Sequence, residues 1–307
     1  MMILELKDDR SEKVRYDYGD YPIYIRRGLL STYPNFAAPV HWHDDIELIV
    51  VLSGEMQYNV NGEVIQLQEN EGIIVNARQL HFGFSEARTE CDFICVLFHP
   101  LLLCATAAYE RDFVLPVLHN QRAAFVKLDQ EAAWKQAILE NGRRLYAVKG
   151  EKAAPIKAQV MFLDIWVRLY ENIAPESKKE LQNTDLSILK NMIGFIQQNY
   201  TEKISLGEIA ASGAVGQSKC CRLFGKYIRQ TPNAYLTQYR LDKSTELLKH
   251  TDMTMTEVAH ATGFGGSSYY AEAFRRWSGT SPSAYRKMFL SGSSPAPSTE
   301  PEDTTDI

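Results

Sequence analysis

Four side chains in the first part of the chain can do coordination chemistry: His41, His43, Glu47 and His81. Imidazole nitrogen and carboxylate oxygen are donor types that divalent transition metals accept. On an extended segment alternate residues share a face, so His41, His43 and Glu47 can all point inward. Three uses are open to them: a divalent-metal site, the lining of an organic-ligand pocket, or a hydrogen-bonded closure of a β-structure. The reading adopted is the ligand pocket, with no cofactor required and a divalent metal at His41, His43, Glu47 and His81 as the alternative. Aromatic and basic residues nearby offer stacking faces and hydrogen bonds for a small molecule such as a sugar. The ligand-binding set is therefore Tyr24, Arg26, His41, Trp42, His43, Glu47, Tyr58 and His81. A Gly-x-Ser-x-Gly elbow, a phosphate-cradling loop and a paired catalytic constellation are all missing from the sequence, so the chain is not read as an enzyme.

A second group of residues carries a different chemistry and is repeated. From about Ser205 to Arg286 one helical pattern occurs twice at a spacing of 49 to 50 residues. Each copy opens with a capping box, Ser205 with Glu208 and Thr254 with Glu257, in which a hydroxyl and a carboxylate satisfy the free N–H groups of a helix start. A short apolar helix follows, then a tight turn at Ala214-Val215-Gly216 or Gly263-Phe264-Gly265, then a second helix. The second helix is apolar at Cys220, Leu223, Phe224 and Tyr227 in one copy and at Tyr270, Ala273, Phe274 and Trp277 in the other, the stripe of a half-buried helix. Each copy ends at a restart, Thr231-Pro232 or Ser281-Pro282, where a hydroxyl residue caps and proline fits the first turn. Helix, turn and amphipathic helix with a polar outer face is the helix-turn-helix arrangement, whose second helix fits the DNA major groove. Two copies in register are hard to obtain from generic helix packing.

The outer faces name the candidate DNA contacts. Copy one offers Gln217, Ser218, Lys219, Cys221, Arg222 and Lys226, and copy two Ser267, Ser268, Tyr269, Glu272, Arg275 and Arg276, with Arg240 in the helix between them. Arg222 is the leading candidate for a base contact, because its guanidinium reaches guanine O6 and N7 together. Glu272 can accept from cytosine N4. Lys219, Lys226, Arg240, Arg275, Arg276 and Arg286 are assigned to phosphates or solvent. Net charge supports the division: from Thr184 to Leu290 there are 13 Lys or Arg against 8 Asp or Glu, although the whole chain carries −5. A basic surplus located with the helices is what phosphate binding requires.

These residues resemble the AraC/XylS-type transcription regulators over about Ile188 to Phe289. The resemblance rests on Arg240-Leu241, Leu247-Leu248, Glu257-Val258-Ala259, Gly263-Phe264, Ser268-Tyr269-Tyr270, Phe274-Arg275-Arg276, Gly279, Ser281-Pro282 and Tyr285-Arg286. The chain departs from it at Arg229, where glycine is usual, at Gly225, where lysine is common, and at Glu272, where arginine is common. The stretch His41-Trp42-His43 with Glu47 and Gly54, followed by His81, resembles the cupin barrel, with Asn76 near the place of a proline. Together these resemblances imply an α+β multidomain chain: an N-terminal cupin-like β-barrel plus helical hairpin, and a C-terminal all-α tandem helix-turn-helix DNA-binding domain. They imply a regulator of double-stranded DNA under a small-molecule effector, a homodimer and a contact with RNA polymerase.

The remaining elements are arranged to hold these groups. Short segments rich in Val, Ile, Tyr and Phe predict strands at Tyr21–Arg27, Ile46–Leu52, Glu55–Val60, Glu63–Leu67, Gly72–Val75 and Asp92–Phe98, with Asn61-Gly62 as a hairpin turn. Helical periods from Gln130 to Tyr146 and from Ala153 to Tyr170 predict a helical hairpin, about 129–172. Its stripes are Ala133, Ile138 and Leu145, then Ile156, Val160, Leu163, Val167 and Tyr170. The expected plan is a sensing domain over 1–173, a linker over 174–184, the DNA-binding domain over 185–290 and an acidic, disordered tail over 291–307. Five cysteines without metal spacing, no apolar run of membrane length and no secretory leader pattern predict a cytoplasmic protein with reduced thiols and no membrane partner.

Overall fold

The computed structural model describes residues 12, 14–120, 123–173 and 184–290. The expected linker, save Thr184, and the expected tail lie outside the described residues. Two compact units form, one from residues up to Gly194 with Ala210–Thr231, the other from Phe195–Ile209 with the chain from Pro232 onward.

The first unit is built on seven antiparallel strands: β1 Ile23–Leu29, β2 Ile46–Val60, β3 Glu63–Gln68, β4 Gly72–Val75, β5 His81–Phe84, β6 Cys91–Phe98 and β7 Phe125–Leu128. Five follow the order β1-β6-β2-β4-β7, while β3 and β5 pair with the far half of β2. β2 therefore belongs to two sheets. Its residues 46–54 pair with β4 and β6, and 55–60 with β3 and β5, across a register shift between Val51 and Ser53. A bulge of this kind bends a strand. Gly54 turns the corner at φ +76°, and a Cβ there would lie 2.1 Å from the Glu90 carbonyl oxygen, so only glycine fits. The predicted break between Leu52 and Glu55 is thus a bend inside one 15-residue strand. The hairpin at Asn61-Gly62 is as expected, with φ of 52° and 90°.

Alternation along the strands gives the sheet two apolar faces. Ile49, Val51, Met56, Tyr58, Val60, Leu67, Cys95 and Leu97 turn into the interior shared by both sheets. Ile46, Leu48, Val50, Ile94, Val96 and Phe98 face the other way, onto α1 (Ala133–Val148) and α2 (Ala154–Asn172). The Phe98 and Phe162 rings stack at 4.3 Å between centroids. Burying one such ring contributes about 1.5 to 3 kcal/mol.

The two helices of the hairpin bury only part of their apolar surface. Ile138 and Leu145 of α1 are buried while Ala133 is exposed, and α2 buries Ala154, Ala158, Met161, Phe162, Ile165, Trp166 and Leu169. The stripe read from the sequence, Ile156, Val160, Leu163, Val167 and Tyr170, lies on the outside, each residue between 39% and 63% exposed. α2 carries two apolar faces, and the sheet takes the other one.

From Thr184 to Leu290 the chain is helical: α3 Thr184–Asn199, α4 Leu206–Ser212, α5 Gln217–Ile228, α6 Pro232–His250, α7 Met255–Ala261, α8 Ser267–Ser278 and α9 Pro282–Leu290. Among the described residues no helix is long and apolar enough to cross a membrane.

Candidate nucleic-acid interface and barrel site

Both capping boxes form. Ser205 and Thr254 receive hydrogen bonds from the Glu208 and Glu257 N–H groups at 3.3 and 3.2 Å, and their own N–H groups donate to those carboxylates at 2.8 and 2.7 Å. Hydrogen bonds from the cap residue hold both carboxyls below the ordinary glutamate range. The turns match bond for bond: Val215 N–H donates to Ala210 at 3.1 Å and Phe264 N–H to Ala259 at 2.8 Å. α5 and α8 are each 12 residues long, with Cys220, Leu223, Phe224 and Tyr227 buried in one and Tyr270, Phe274 and Trp277 in the other.

The outward residues fall where the sequence placed them. Gln217, Ser218, Cys221, Arg222 and Lys226 are exposed on α5, as are Ser268, Tyr269, Glu272, Arg275 and Arg276 on α8, with Ser267 half-buried. Lys219 pairs with Asp185 at 2.9 Å, and Arg276 is bound by Glu272 one turn earlier. Two basic residues assigned to phosphates or solvent do something else. Arg240 donates from Nε to the Tyr200 carbonyl and from Nη2 to the Glu202 carbonyl, both at 2.7 Å, with its guanidinium over the Phe264 ring. It ties the segment before α4 to α6. Arg286 Nε likewise donates to Leu248 O at 3.2 Å, closing α9 onto α6. Carbonyls left free at helix ends and turns need donors, and these two arginines supply them.

In the sheet unit the four candidate ligands converge. An isolated bridge joins His41 to His81 through N–H to O bonds of 3.2 and 3.0 Å. β5, too short to stand out in the sequence, brings His81 beside the end of β2. His43 Nε2 and His81 Nε2 each lie 3.4 Å from Glu47 Oε2, and the ligating atoms of all four residues lie within 4.8 Å of one another. Tyr58 OH donates to Glu47 Oε1, and Cys95 Sγ lies 3.9 Å from Oε2. His41 Nε2 faces Glu12 Oε2 at 3.6 Å.

Electrostatics follow from burial. Burial, aided by His81 and His43, lowers the His41 imidazole to about 3. For His43 burial works the same way, but Glu47 beside it prevails and its pKa is raised. Glu47 is held well below the usual carboxylate range: burial opposes this, and the neighbouring His81 and His43 overcome it. Burial, then Glu47, pushes the Tyr58 hydroxyl and the Cys95 thiol up.

A cavity of about 880 Å³ adjoins the cluster, lined by Glu12, Tyr24, Arg26, Tyr33, Phe93 and Cys95 among others. Tyr24 and Arg26 lie in this wall, with Arg26 ion-paired to Asp17 and 4.8 Å from the Tyr24 ring. His41, His43, Glu47, Tyr58 and His81 do not line it, and neither does Trp42. It is buried, its carbonyl accepts from Glu12 N–H, and the Lys190 ammonium sits 5.4 Å from its ring. Two site residues escaped the sequence reading. Cys95 shows itself only once β6 is registered against β1, opposite Arg26. Glu12 belongs to a charged opening stretch that offers no periodic signal.

An antiparallel sheet domain with a buried polar site, followed by duplicated helix-turn-helix units, is the plan of a DNA-binding regulator with an N-terminal ligand-binding domain. Comparison with known proteins agrees. A model of the AraC-like ligand binding domain matches residues 26–131, and a model of a helix-turn-helix domain matches residues 209–288. The chain is 27% identical over 271 residues to YdeC of Bacillus subtilis (strain 168), an uncharacterized HTH-type transcriptional regulator, covering 88% of this chain and 93% of that one. It is 21% identical over 274 residues to the melibiose operon regulatory protein of Escherichia coli (strain K12), covering 87% and 90%. It is 24% identical over 262 residues to the transcriptional activator RhaS of Klebsiella pneumoniae (strain 342), covering 83% and 89%. The chain thus carries an AraC-like ligand binding domain and a helix-turn-helix domain, and the relatives it matches are transcription regulators.

Proposed function

We propose that this chain reads a specific DNA sequence with α5 and α8, and that a small molecule in the cavity of the sheet domain controls that reading. The observation that carries it is the duplicated helix with a buried stripe and an exposed polar face, reproduced to the level of individual turn hydrogen bonds. A sugar is the effector class favoured. Tyr24, Tyr33 and Phe93 supply ring faces and Glu12 and Arg26 supply polar groups in one cavity, and one relative is named for the melibiose operon. The relatives are transcription regulators, which supports regulation over turnover as the role.

The chain acts as a homodimer in this reading. The outer stripe of α2 runs 156, 160, 163, 167, 170, alternating steps of four and three, which is the seam of a two-stranded coiled coil. A second copy of α2 is the occupant that such a seam fits. RNA polymerase is the further partner proposed.

The test is selection of bound DNA from random sequence by the full chain, with and without candidate sugars. A recovered consensus whose affinity shifts with one sugar is the expected result. Recovery of no preferred sequence at any salt concentration would sink the proposal. Mass in solution at micromolar concentration tests the dimer, and a strict monomer with and without DNA removes it.

A further inference from the structure

The first turn of α3 reaches the basic side of copy one. Asp185, Ile188 and Met192 stand at i, i+3 and i+7, so they share one face of that helix. That face packs on the turn of copy one: a Cβ at Gly213 would lie 2.7 Å from Met192 Cγ and 3.0 Å from Ile188 Cγ2. Packing therefore sets Asp185 beside α5. On α5, Lys219, Arg222 and Lys226 repeat the same spacing and form one stripe along the outer side of the helix. The Asp185 carboxylate takes the Lys219 ammonium at 2.9 Å, with the two side chains 35% and 36% exposed. The hydrogen bond from Lys219 holds that carboxyl below its usual range against some desolvation, and the charges of Lys219, Arg222 and Lys226 act in the same direction. One ionised acid thus faces a stripe of three cations.

We infer that Asp185 keeps Lys219 from the DNA phosphates and thereby limits sequence-independent binding by copy one. A carboxylate and a phosphate compete for the same ammonium, and a cation already engaged inside the protein displaces no counterion when DNA arrives. An exposed ion pair adds little to stability, so the effect of this one is read at the DNA and not in the fold. Copy two restrains a cation differently: Glu272 engages Arg276 from one turn earlier on the same helix. In copy one the restraint comes from a second helix, α3, held in place by Ile188 and Met192. Base preference is left to Arg222, whose contact with guanine does not require Lys219. The inference rests on the proposed meeting of α5 with DNA and names a residue outside α5 that governs its strength.

The experiment measures binding of the full chain to a labelled alternating dA-dT duplex, which offers Arg222 no guanine, across a series of salt concentrations. Log affinity falls linearly with log salt, and the slope counts the phosphates neutralised. Asp185→Asn should tighten binding at low salt and steepen the slope by about 0.9, the value of one added phosphate contact. Its advantage over the parent then shrinks about 3- to 4-fold for each fourfold rise in salt. In a Lys219→Ala background the same substitution should leave the slope unchanged, because no ammonium is released. Asp185 also suits a helix start, where a carboxylate complements the dipole. A role confined to α3 would lower the melting temperature and leave the slope alone. Asp185→Ser, which keeps a polar group at the helix start, is the second variant and should match Asp185→Asn. An unchanged slope in both variants, or equal steepening with and without Lys219, overturns the inference while the DNA reading stands. A parent that binds no duplex even at low salt overturns both.

Discussion

The two helix-turn-helix copies share caps, turn hydrogen bonds and helix length, yet they solve one backbone problem differently. Each copy has a left-handed residue in its turn and another just after its second helix. Copy two uses glycine at both, Gly263 at φ 78° and Gly279 at φ 79°. Copy one uses Ala214 at φ 53° and Arg229 at φ 61°. A side chain in this region costs roughly 1 to 2 kcal/mol through the contact of Cβ with the following carbonyl. Copy one therefore carries strain that copy two does not, and the fold holds it there because the buried stripe and the caps fix the helices on either side. Backbone geometry is the constant of the repeat, and glycine is only its cheapest occupant.

The largest effect is expected at the turn. A Cβ on Gly263 would lie 2.4 Å from the Tyr200 carbonyl oxygen, so Gly263→Ala adds a backbone clash to the left-handed strain. We expect a loss of about 3 kcal/mol or more, read from the urea midpoint. The reciprocal change in copy one, Ala214→Gly, should gain up to about 1 kcal/mol, since Ala214 is exposed and only the strain is removed. Equal and opposite shifts would mean that the two turns differ in residue alone. A stabilised Gly263→Ala would break the comparison.

The outer faces differ more than the backbones do, with a reversal of charge at one register position. Arg222 in copy one corresponds to Glu272 in copy two, 50 residues on, and Glu272 is engaged with Arg276. Arg222→Ala should weaken specific binding by about 1 to 3 kcal/mol and relax one base position. Glu272→Ala releases Arg276 toward phosphate, so non-specific binding should strengthen and its dependence on salt steepen. Titrations on selected and scrambled duplexes at two salt concentrations separate these outcomes. Unchanged base preference in Arg222→Ala would remove it from the reading set.

The repeat was legible in the sequence because its signals are local: a hydroxyl three residues before a glutamate, a turn, a stripe of period 3.6. The sheet domain was legible only in part. His41, His43, Glu47 and His81 could be named, but β5 and β7 are short and lack the β-branched run Ile73-Ile74-Val75 that marked β4, and the bend at Gly54 looked like the end of a strand. Periodicity found an apolar stripe on α2 but could not say which of two stripes the sheet would bury. Glu12 and the roles of Arg240 and Arg286 depend on carbonyls and rings distant in the chain, at His41 for the first and at Tyr200, Glu202, Phe264 and Leu248 for the arginines, and no spacing reports them.

The finest test of the comparison lies at the end of the second helix. Arg229 occupies the position of Gly279, but its guanidinium also pairs with Glu86 at 3.1 Å and lies 5.9 Å from the Phe84 ring. A change to glycine alone would mix relief of strain with loss of these contacts. Arg229→Ala and Arg229→Gly lose the same contacts, and only the second removes the Cβ. The pair should therefore differ by about 1 kcal/mol in favour of glycine, whatever the exposed ion pair contributes. Melting temperatures of the two variants, compared with each other and not with the parent, isolate that difference. If alanine were as stable as glycine, Arg229 would not be strained, and the contrast between the copies would reduce to the turn at Ala214 and Gly263.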